Sequence, residues 1–273
     1  MKRSNLFIGI GVALIALACA TNPFTGKSTL ALVPDSQILP SAFAQYNSFL
    51  KENKVISGTA DAQRVRTVGM KIKGAAERYL AANGQGSYLN NYQWEYNLVD
   101  SKEVNAWCMP GGKIVFYTGI LPITQDEAGM AVVMGHEVSH ALLNHGQQRM
   151  SQDVLTQLGA VGVSAAVGNQ SESTQQIAMQ AYGVGTQFGV ALPFSRSHES
   201  EADKLGLTLM ALAGYNPETA LSFWQRMAAK SGGQSPPEFM STHPSDATRI
   251  ANIKKLIPEA KATAAQFGVK FTH

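Results

Sequence analysis

GMAVVMGHEVSHALLNHG, residues 129–146, sets His136 and His140 four apart, with Glu137 beside the first, inside an otherwise apolar run. Residues four apart on a helix lie on one face one turn apart, so the two imidazoles can aim at a single point in space. That is a metal-binding geometry. Glu137 projects to the side of that point, where its carboxylate can take a proton from a metal-bound water without ligating the metal. Two imidazoles and one carboxylate leave a fourth position open to water, an arrangement that suits zinc. A buried helix accepts three ionisable residues beside Val132, Val133, Val138, Leu142 and Leu143 only when they are paired or bound to something. Thr124-Gln125-Asp126-Glu127 has the form of a capping box, so the helix is predicted to start there, to run to about Asn144 and to stop at Gly146.

A third ligand must come from elsewhere. A histidine six residues beyond the second, after an intervening glycine, would complete one known zinc pattern. Here those places hold Gly146 and Leu143, and His145 is one residue early, where it reads as a cation near a helix C-terminus. SRSHESEADKLG, residues 195–206, offers Glu199 and Asp203, four apart on a helix whose apolar face begins at Ala202, so both can face the core. The same acids also suit the first turn of a helix capped by Ser195 or Ser197.

Around these two segments the chain reads as mostly helical. Phe43, Tyr46 and Leu50 within 41–51, and Val65, Val68, Ile72 and Tyr79 within 60–80, recur at helical spacing. Tyr92, Trp94, Tyr96 and Leu98 alternate with polar residues as in a half-buried strand, and a strand pair is predicted at 104–109 and 113–118 around Pro110-Gly111-Gly112. Residues 154–194, rich in Gly, Ala, Val, Ser and Gln, read as a loosely packed helical hairpin and not a membrane span, with a mobile cover over the cleft as the other reading. Further helices are predicted from Glu199 to Gly214, from Asn216-Pro217 onward, and from a cap at Ser245 to Leu256, with Pro258 separating a last short segment.

The 273 residues, 45% hydrophobic and 15% charged, suit a globular protein, and 22 basic against 19 acidic residues are too nearly balanced to argue for nucleic acid. Lys2 and Arg3 precede an apolar run from Leu6 to Ala18 that is short for a bilayer span, the pattern of a secretory signal peptide. Ala16-Leu17-Ala18 directly before Cys19 resembles a bacterial lipoprotein signal, which implies lipid on Cys19 and an envelope location facing the periplasm. Ala16 stands where such signals usually carry Leu, so secretion as a soluble periplasmic protein is the alternative. Residues 1–18 are thus read as a signal peptide, 19–35 as a lipidated N-terminus and tether, and 36–273 as one domain. Lipid on Cys19 leaves Cys108 without a disulfide partner in the chain, and Cys108 reads as a small buried hydrophobe.

HEVSH followed by Glu199-Ser200-Glu201-Ala202-Asp203 resembles the M48 family of zinc metallopeptidases, which includes bacterial lipoprotein quality-control proteases and mitochondrial Oma1-type enzymes. Asn105-Ala106 with Pro110-Gly111-Gly112, Ser195-Arg196, Gly214-Tyr215-Asn216-Pro217, and Thr242-His243-Pro244 with Arg249 are similar to family motifs in the same order. The resemblance implies an α+β, predominantly helical, zincin-like fold with a small sheet beside the active-site helix. It implies one Zn2+ held by His136, His140 and Glu199, Glu137 as general base, and Asp203 holding a ligand histidine. It also brings His243 and Arg249 to the cleft as candidates for stabilising the oxyanion, and the strand at Asn105 and Ala106 as an edge for an extended substrate. The function expected is a zinc endopeptidase acting on misfolded or unassembled envelope proteins. A metal-containing, chaperone-like binding lipoprotein with little or no proteolysis is the alternative.

Overall fold

The computed structural model describes residues 19–230, 238–243 and 247–271, with only the backbone at Pro193. The signal peptide read at 1–18, the cap at Ser245 and His273 lie outside the described residues. The architecture is α+β and dominated by helices, as expected. The described residues divide into two compact units, one drawn from 19–38 and 144–198, the other from 39–143 and 199 onward.

The second unit is built on a sheet of four strands in the order β3-β4-β6-β5. These are β3 (Val55–Ile56), β4 (Glu95–Val99), β5 (Ala106–Met109) and β6 (Lys113–Tyr117). β4 and β6 run parallel, with Glu95 opposite Lys113 and Val99 opposite Tyr117, while β5 and β6 form an antiparallel hairpin. The hairpin turn uses Gly111 and Gly112 at φ +84 and +82, and a Cβ on Gly112 would come within 2.7 Å of the Trp94 ring. β3 was not expected, because two residues are too few to show alternation. Every residue of the central strand β6 is buried. On one face Val99, Val115 and Tyr117 pack with Tyr46 and Phe49 of α1 (Asp35–Glu52). Leu98, Ile114 and Phe116, of the opposite parity, are buried too. Helix α2 (Ala60–Ala82) packs on β4, and α4 (Glu127–Leu142) packs on both α2 and β5.

Between β6 and α4 the short α3 (Leu121–Thr124) takes up Thr124, so the residue that caps α4 is Asp126, whose carboxylate accepts from Gly129 N at 2.8 Å. The capping-box pattern located the helix start two residues too early. Gly146 does not end α4 either. Asn144 adopts φ 57 and turns the chain, and Gly146 falls inside the next helix, α5 (His145–Val167). α7 (Leu192–Leu212) begins well before Glu199, so Ser195 and Ser197 lie inside it and cap nothing. α8 (Thr219–Lys230) and α9 (Glu238–Thr242) follow. α10 (Ala247–Gln266) runs straight through Pro258, which separates no segment.

In the first unit the expected tether carries a small hairpin, β1 (Cys19–Thr21) with β2 (Ser28–Leu30). Its turn closes because Asn22, between the strand end and Pro23, bonds both Phe24 N (through Oδ1) and Gly26 N (through its carbonyl). The stretch 154–194 is helical as read: α5, then α6 (Glu172–Thr186), a π-turn at Gln187–Ala191, and the start of α7. His145, read as a cation near a helix C-terminus, is instead the first residue of α5. It is fully buried and stacks on the His198 ring at 3.9 Å.

Candidate metal centre

His136 and His140 sit on consecutive turns of α4, whose residues from Gly129 to Leu142 are all buried. α7 crosses this helix at very short range, because both partners are glycine at the crossing. A Cβ on Gly206 would meet His136 N at 2.9 Å, and one on Gly135 would meet Gly206 O at 2.7 Å. The approach brings Glu199 and Asp203, on one face of α7, up to the two imidazoles. Glu199 Oε2 lies 3.3 Å from His136 Nε2 and its Oε1 3.3 Å from His140 Nε2.

His136 Nε2 and His140 Nε2 stand 3.1 Å apart. His243, at the end of α9, adds its Nδ1 at 3.1 Å from His136 Nε2 and 3.0 Å from each Glu199 oxygen. One donor atom from each of His136, His140, Glu199 and His243 thus falls within 4.8 Å of the others. Sequence reading did not place His243 among the donors. It lies 107 residues from His136, and only the Thr242-His243-Pro244 resemblance pointed to it.

Asp203 does not join the donors. Its Oδ1 lies 3.0 Å from His136 Nδ1, the far side of that ring, and it receives two bonds from Arg249, Nε to Oδ2 at 2.8 Å and Nη2 to Oδ1 at 2.7 Å. Arg249 also donates from Nη1 to the His243 carbonyl at 3.2 Å, and its guanidinium lies over the Trp224 ring at 3.8 Å. Arg249 therefore joins α7, α9 and α10 at the donor cluster itself, where its Nη1 also lies 3.3 Å from Glu199 Oε2. Glu137 Oε1 is buried, and His243 Nε2 lies 3.3 Å from it.

The electrostatics follow from burial and neighbours. Burial opposes the charge on Glu199, yet the three imidazoles facing it hold its carboxyl far below the ordinary range. Burial likewise opposes Asp203, and Arg249 with His136 outweighs it, so that carboxyl also sits low. Glu137 is pushed up by burial, which makes it a better base than a surface carboxylate. His140 is driven well down by burial and is neutral. His136 is opposed by burial too, but Asp203 and Glu199 raise it to about 9.

The donor chemistry fits a divalent cation. Three buried carboxylates, Glu137, Glu199 and Asp203, face one buried guanidinium, Arg249, which leaves two negative charges to balance. Imidazole lone pairs and a carboxylate crowded to about 3 Å repel one another unless a proton or a cation lies between them.

The β5 edge lies against this helix. Ala106 is buried, Asn105 O accepts from Tyr117 N at 3.1 Å, and Asn105 Oδ1 accepts from Ala106 N at 2.9 Å. Cys108 is half-buried as a residue, but its thiol is shielded. Burial, with a contribution from Glu137, raises that thiol well above its ordinary range, so it is an inert group beside the site.

Comparison with known proteins gives the same frame. The model of peptidase family M48 matches residues 71–257. The mitochondrial metalloendopeptidase OMA1 of Schizosaccharomyces pombe is 34% identical over 68% of this chain and 52% of its own length. The human mitochondrial metalloendopeptidase OMA1 is 28% identical over 95% of this chain and 51% of its own, and the beta-barrel assembly-enhancing protease of Yersinia pestis is 27% identical over 91% and 54%. The chain spans about half the length of the curated relatives it matches. With a family model covering well over half its residues, and the HEVSH helix and Glu199 packed together inside the match, the chain belongs to peptidase family M48.

Proposed function

We propose that the protein is a zinc-dependent endopeptidase of the bacterial cell envelope, cleaving misfolded or unassembled envelope proteins. The observation that carries this reading is the convergence of His136, His140 and Glu199 on one point, with the buried Glu137 carboxylate beside it. Zinc held by those three side chains would supply a Lewis acid that acidifies water and polarises a peptide carbonyl. Glu137 takes the proton from the attacking water and returns it to the leaving amine, a role that its raised basicity serves. Asp203 fixes the orientation of His136 through Nδ1, and Arg249 fixes Asp203. The edge of β5 can receive an extended peptide as an added strand, which favours unfolded substrates over folded ones.

The envelope location is supported by the lipoprotein-like signal ending at Cys19 and by the name of the Yersinia pestis relative, which ties that protein to β-barrel assembly. Among the described residues no helix is long and apolar enough to cross a membrane. Lipid on Cys19 is read directly by mass spectrometry of the N-terminal peptide.

The test is Glu137→Gln in the purified chain, with zinc content and hydrolysis of an unfolded protein measured together. Zinc should stay at one per chain while hydrolysis falls at least about a hundredfold. Hydrolysis that survives with zinc bound removes Glu137 from the chemistry. Capture of unfolded protein that persists without any hydrolysis, in the unsubstituted chain as well, favours the chaperone-like alternative.

A further inference from the structure

Eleven of the twelve large hydrophobic side chains that stand exposed among the described residues lie between Met150 and Leu192, in the α5–α6 hairpin and the turn after it. Leu158, Val161, Ile177 and Phe188 are 62–68% exposed. Met150, Val154, Leu158 and Val161 recur every three or four residues along one stripe of α5, and Ile177, Val184 and Phe188 continue such a stripe beyond the hairpin bend. The two helices hold each other through the opposite side, where Tyr182 OH donates to the Thr156 carbonyl at 2.8 Å and lies against Gly159. The apolar stripes therefore face away from the helix–helix contact. A stripe of this extent on a secreted chain has a partner.

We propose that this face of the hairpin lies in the headgroup and acyl boundary of a lipid bilayer. Two observations select a bilayer as the occupant. The first is where the undescribed N-terminus leads. Residues 1–18 end at Cys19 in β1, β1 pairs with β2, and the segment after β2 is fastened to the base of α5. Leu32 N donates to Ser151 Oγ at 3.0 Å, and Gln147 Nε2 donates to the Val33 carbonyl at 2.8 Å. Whatever holds Cys19 or Leu6–Ala18 to a membrane thus holds the root of the hairpin there as well. The second is charge. Residues 150–195 carry only Asp153 and Glu172, and the remaining polar groups are Ser, Thr, Gln, Asn and Tyr, which sit readily among headgroups. Neither hairpin helix is apolar enough to span, so the hairpin lies along the surface. Arg149, at the base of α5, and Arg196 flank this stretch, and within 150–195 there is no basic side chain to call for anionic lipid. The inference rests on the envelope reading above only for the presence of a membrane.

The test uses the full chain reconstituted with phosphatidylcholine vesicles. Tryptophan is introduced singly as Leu158→Trp, Val161→Trp or Phe188→Trp, and the signal of Trp94, Trp107 and Trp224 is subtracted using the parent chain. Chain-brominated phosphatidylcholine should quench each added tryptophan by about twofold or more, aqueous iodide should quench little, and adding phosphatidylglycerol should change neither. Adding Leu158→Gln and Phe188→Gln to the Val161→Trp chain should remove the bromolipid quenching, with helix content by circular dichroism unchanged. Quenching by iodide but not by bromolipid would mean that the face is in water and overturns the proposal. Quenching by neither would mean that protein covers it, a second copy or residues 6–18, and overturns it equally. Failure of the peptidase reading is told apart, because Glu137→Gln should leave the bromolipid signal as it is.

Discussion

The crossing of α4 and α7 at Gly135 and Gly206 gives the most direct handle on how this site is assembled. Replacing Gly206 by alanine in a bare helix would stabilise it by about 1 kcal/mol. Here the new methyl would stand 2.9 Å from His136 N, 3.0 Å from the Gly135 carbonyl carbon and 3.1 Å from His136 Cα, all backbone atoms that no rotamer change can move. Ordinary contact needs about 0.5 Å more, so the helices must part by roughly that amount, at a cost of about 1–3 kcal/mol. The net loss should be up to about 2 kcal/mol, a fall in Tm of up to about 8 °C for a unit of this size. The consequence for the metal is larger. Glu199 and Asp203 ride on α7, the histidines on α4, and ligand distances tolerate only about 0.2 Å, so zinc affinity should fall at least about tenfold. Gly135→Ala, whose methyl would meet Gly206 O at 2.7 Å, should do the same. Gly74→Ala in α2, with nothing within 4 Å of the new methyl, should raise Tm and leave zinc affinity alone. The measurements are thermal melts of metal-free and zinc-loaded protein and a chelator competition for zinc. If Gly206→Ala stabilises like Gly74→Ala and binds zinc like the parent, close backbone packing is not what sets the donors.

Asp203→Asn should lower zinc affinity by about 10–100-fold, because the carboxylate on His136 Nδ1 orients and enriches that ring. The same change should flatten acid unfolding of the metal-free protein: the Asp203 carboxyl is held below its unfolded value, so its stabilisation is full above about pH 4 and is lost as the pH falls through its folded value. Asp126→Ala, which removes the cap on Gly129 N, should cost about 1 kcal/mol in urea unfolding with zinc affinity unchanged. His243→Ala should keep zinc on His136, His140 and Glu199; a kcat lowered about a hundredfold at full zinc occupancy would make His243 an oxyanion donor, and an unchanged kcat would remove it from the chemistry.

What the sequence made legible was whatever periodicity or spacing encodes within a few residues. His136, Glu137 and His140 were readable because one helical turn separates the two ligands. Glu199 and Asp203 were readable as a pair for the same reason, and the α5–α6 hairpin because its glycine and polar content is wrong for a span. Only the family resemblance named Glu199; which acid faces the donors was not in the spacing. That depends on the depth at which α7 crosses α4, set by two glycines whose partners lie 71 residues apart and which, alone, read as ordinary helix residues. The helix limits were misplaced where a local pattern competed with a tertiary one. Thr124 fits a capping box, yet α3 claims it and Asp126 takes over. Gly146 suits a stop, yet Asn144 accepts the left-handed turn two residues earlier. The burial of His145 was not legible because its stacking partner, His198, is 53 residues away in the chain.

The charge of the site links metal to protons, and that link can be measured. Glu137, Glu199 and Asp203 against Arg249 leave an excess of two negative charges in a buried volume. A divalent cation removes it. Without one, protons must make up the deficit, and His136, although burial opposes its charge, is raised by Asp203 and Glu199 to about 9. At pH 7 the metal-free His136 is therefore protonated, whereas His140, driven down by burial, is already neutral. A histidine must be neutral to ligate, so zinc binding should expel about one proton per ion at pH 7, and none from His136 well above pH 9. The sign follows for stability as well: the contribution of His136 to the metal-free fold is complete below its unfolded value of about 6.5 and disappears as the pH rises through about 9, opposite to that of Asp203. Titration calorimetry in buffers of differing ionisation enthalpy reads the proton count. A count near zero at pH 7 would mean that His136 is neutral before the metal arrives, and that Asp203 and Glu199 do not hold a proton on it.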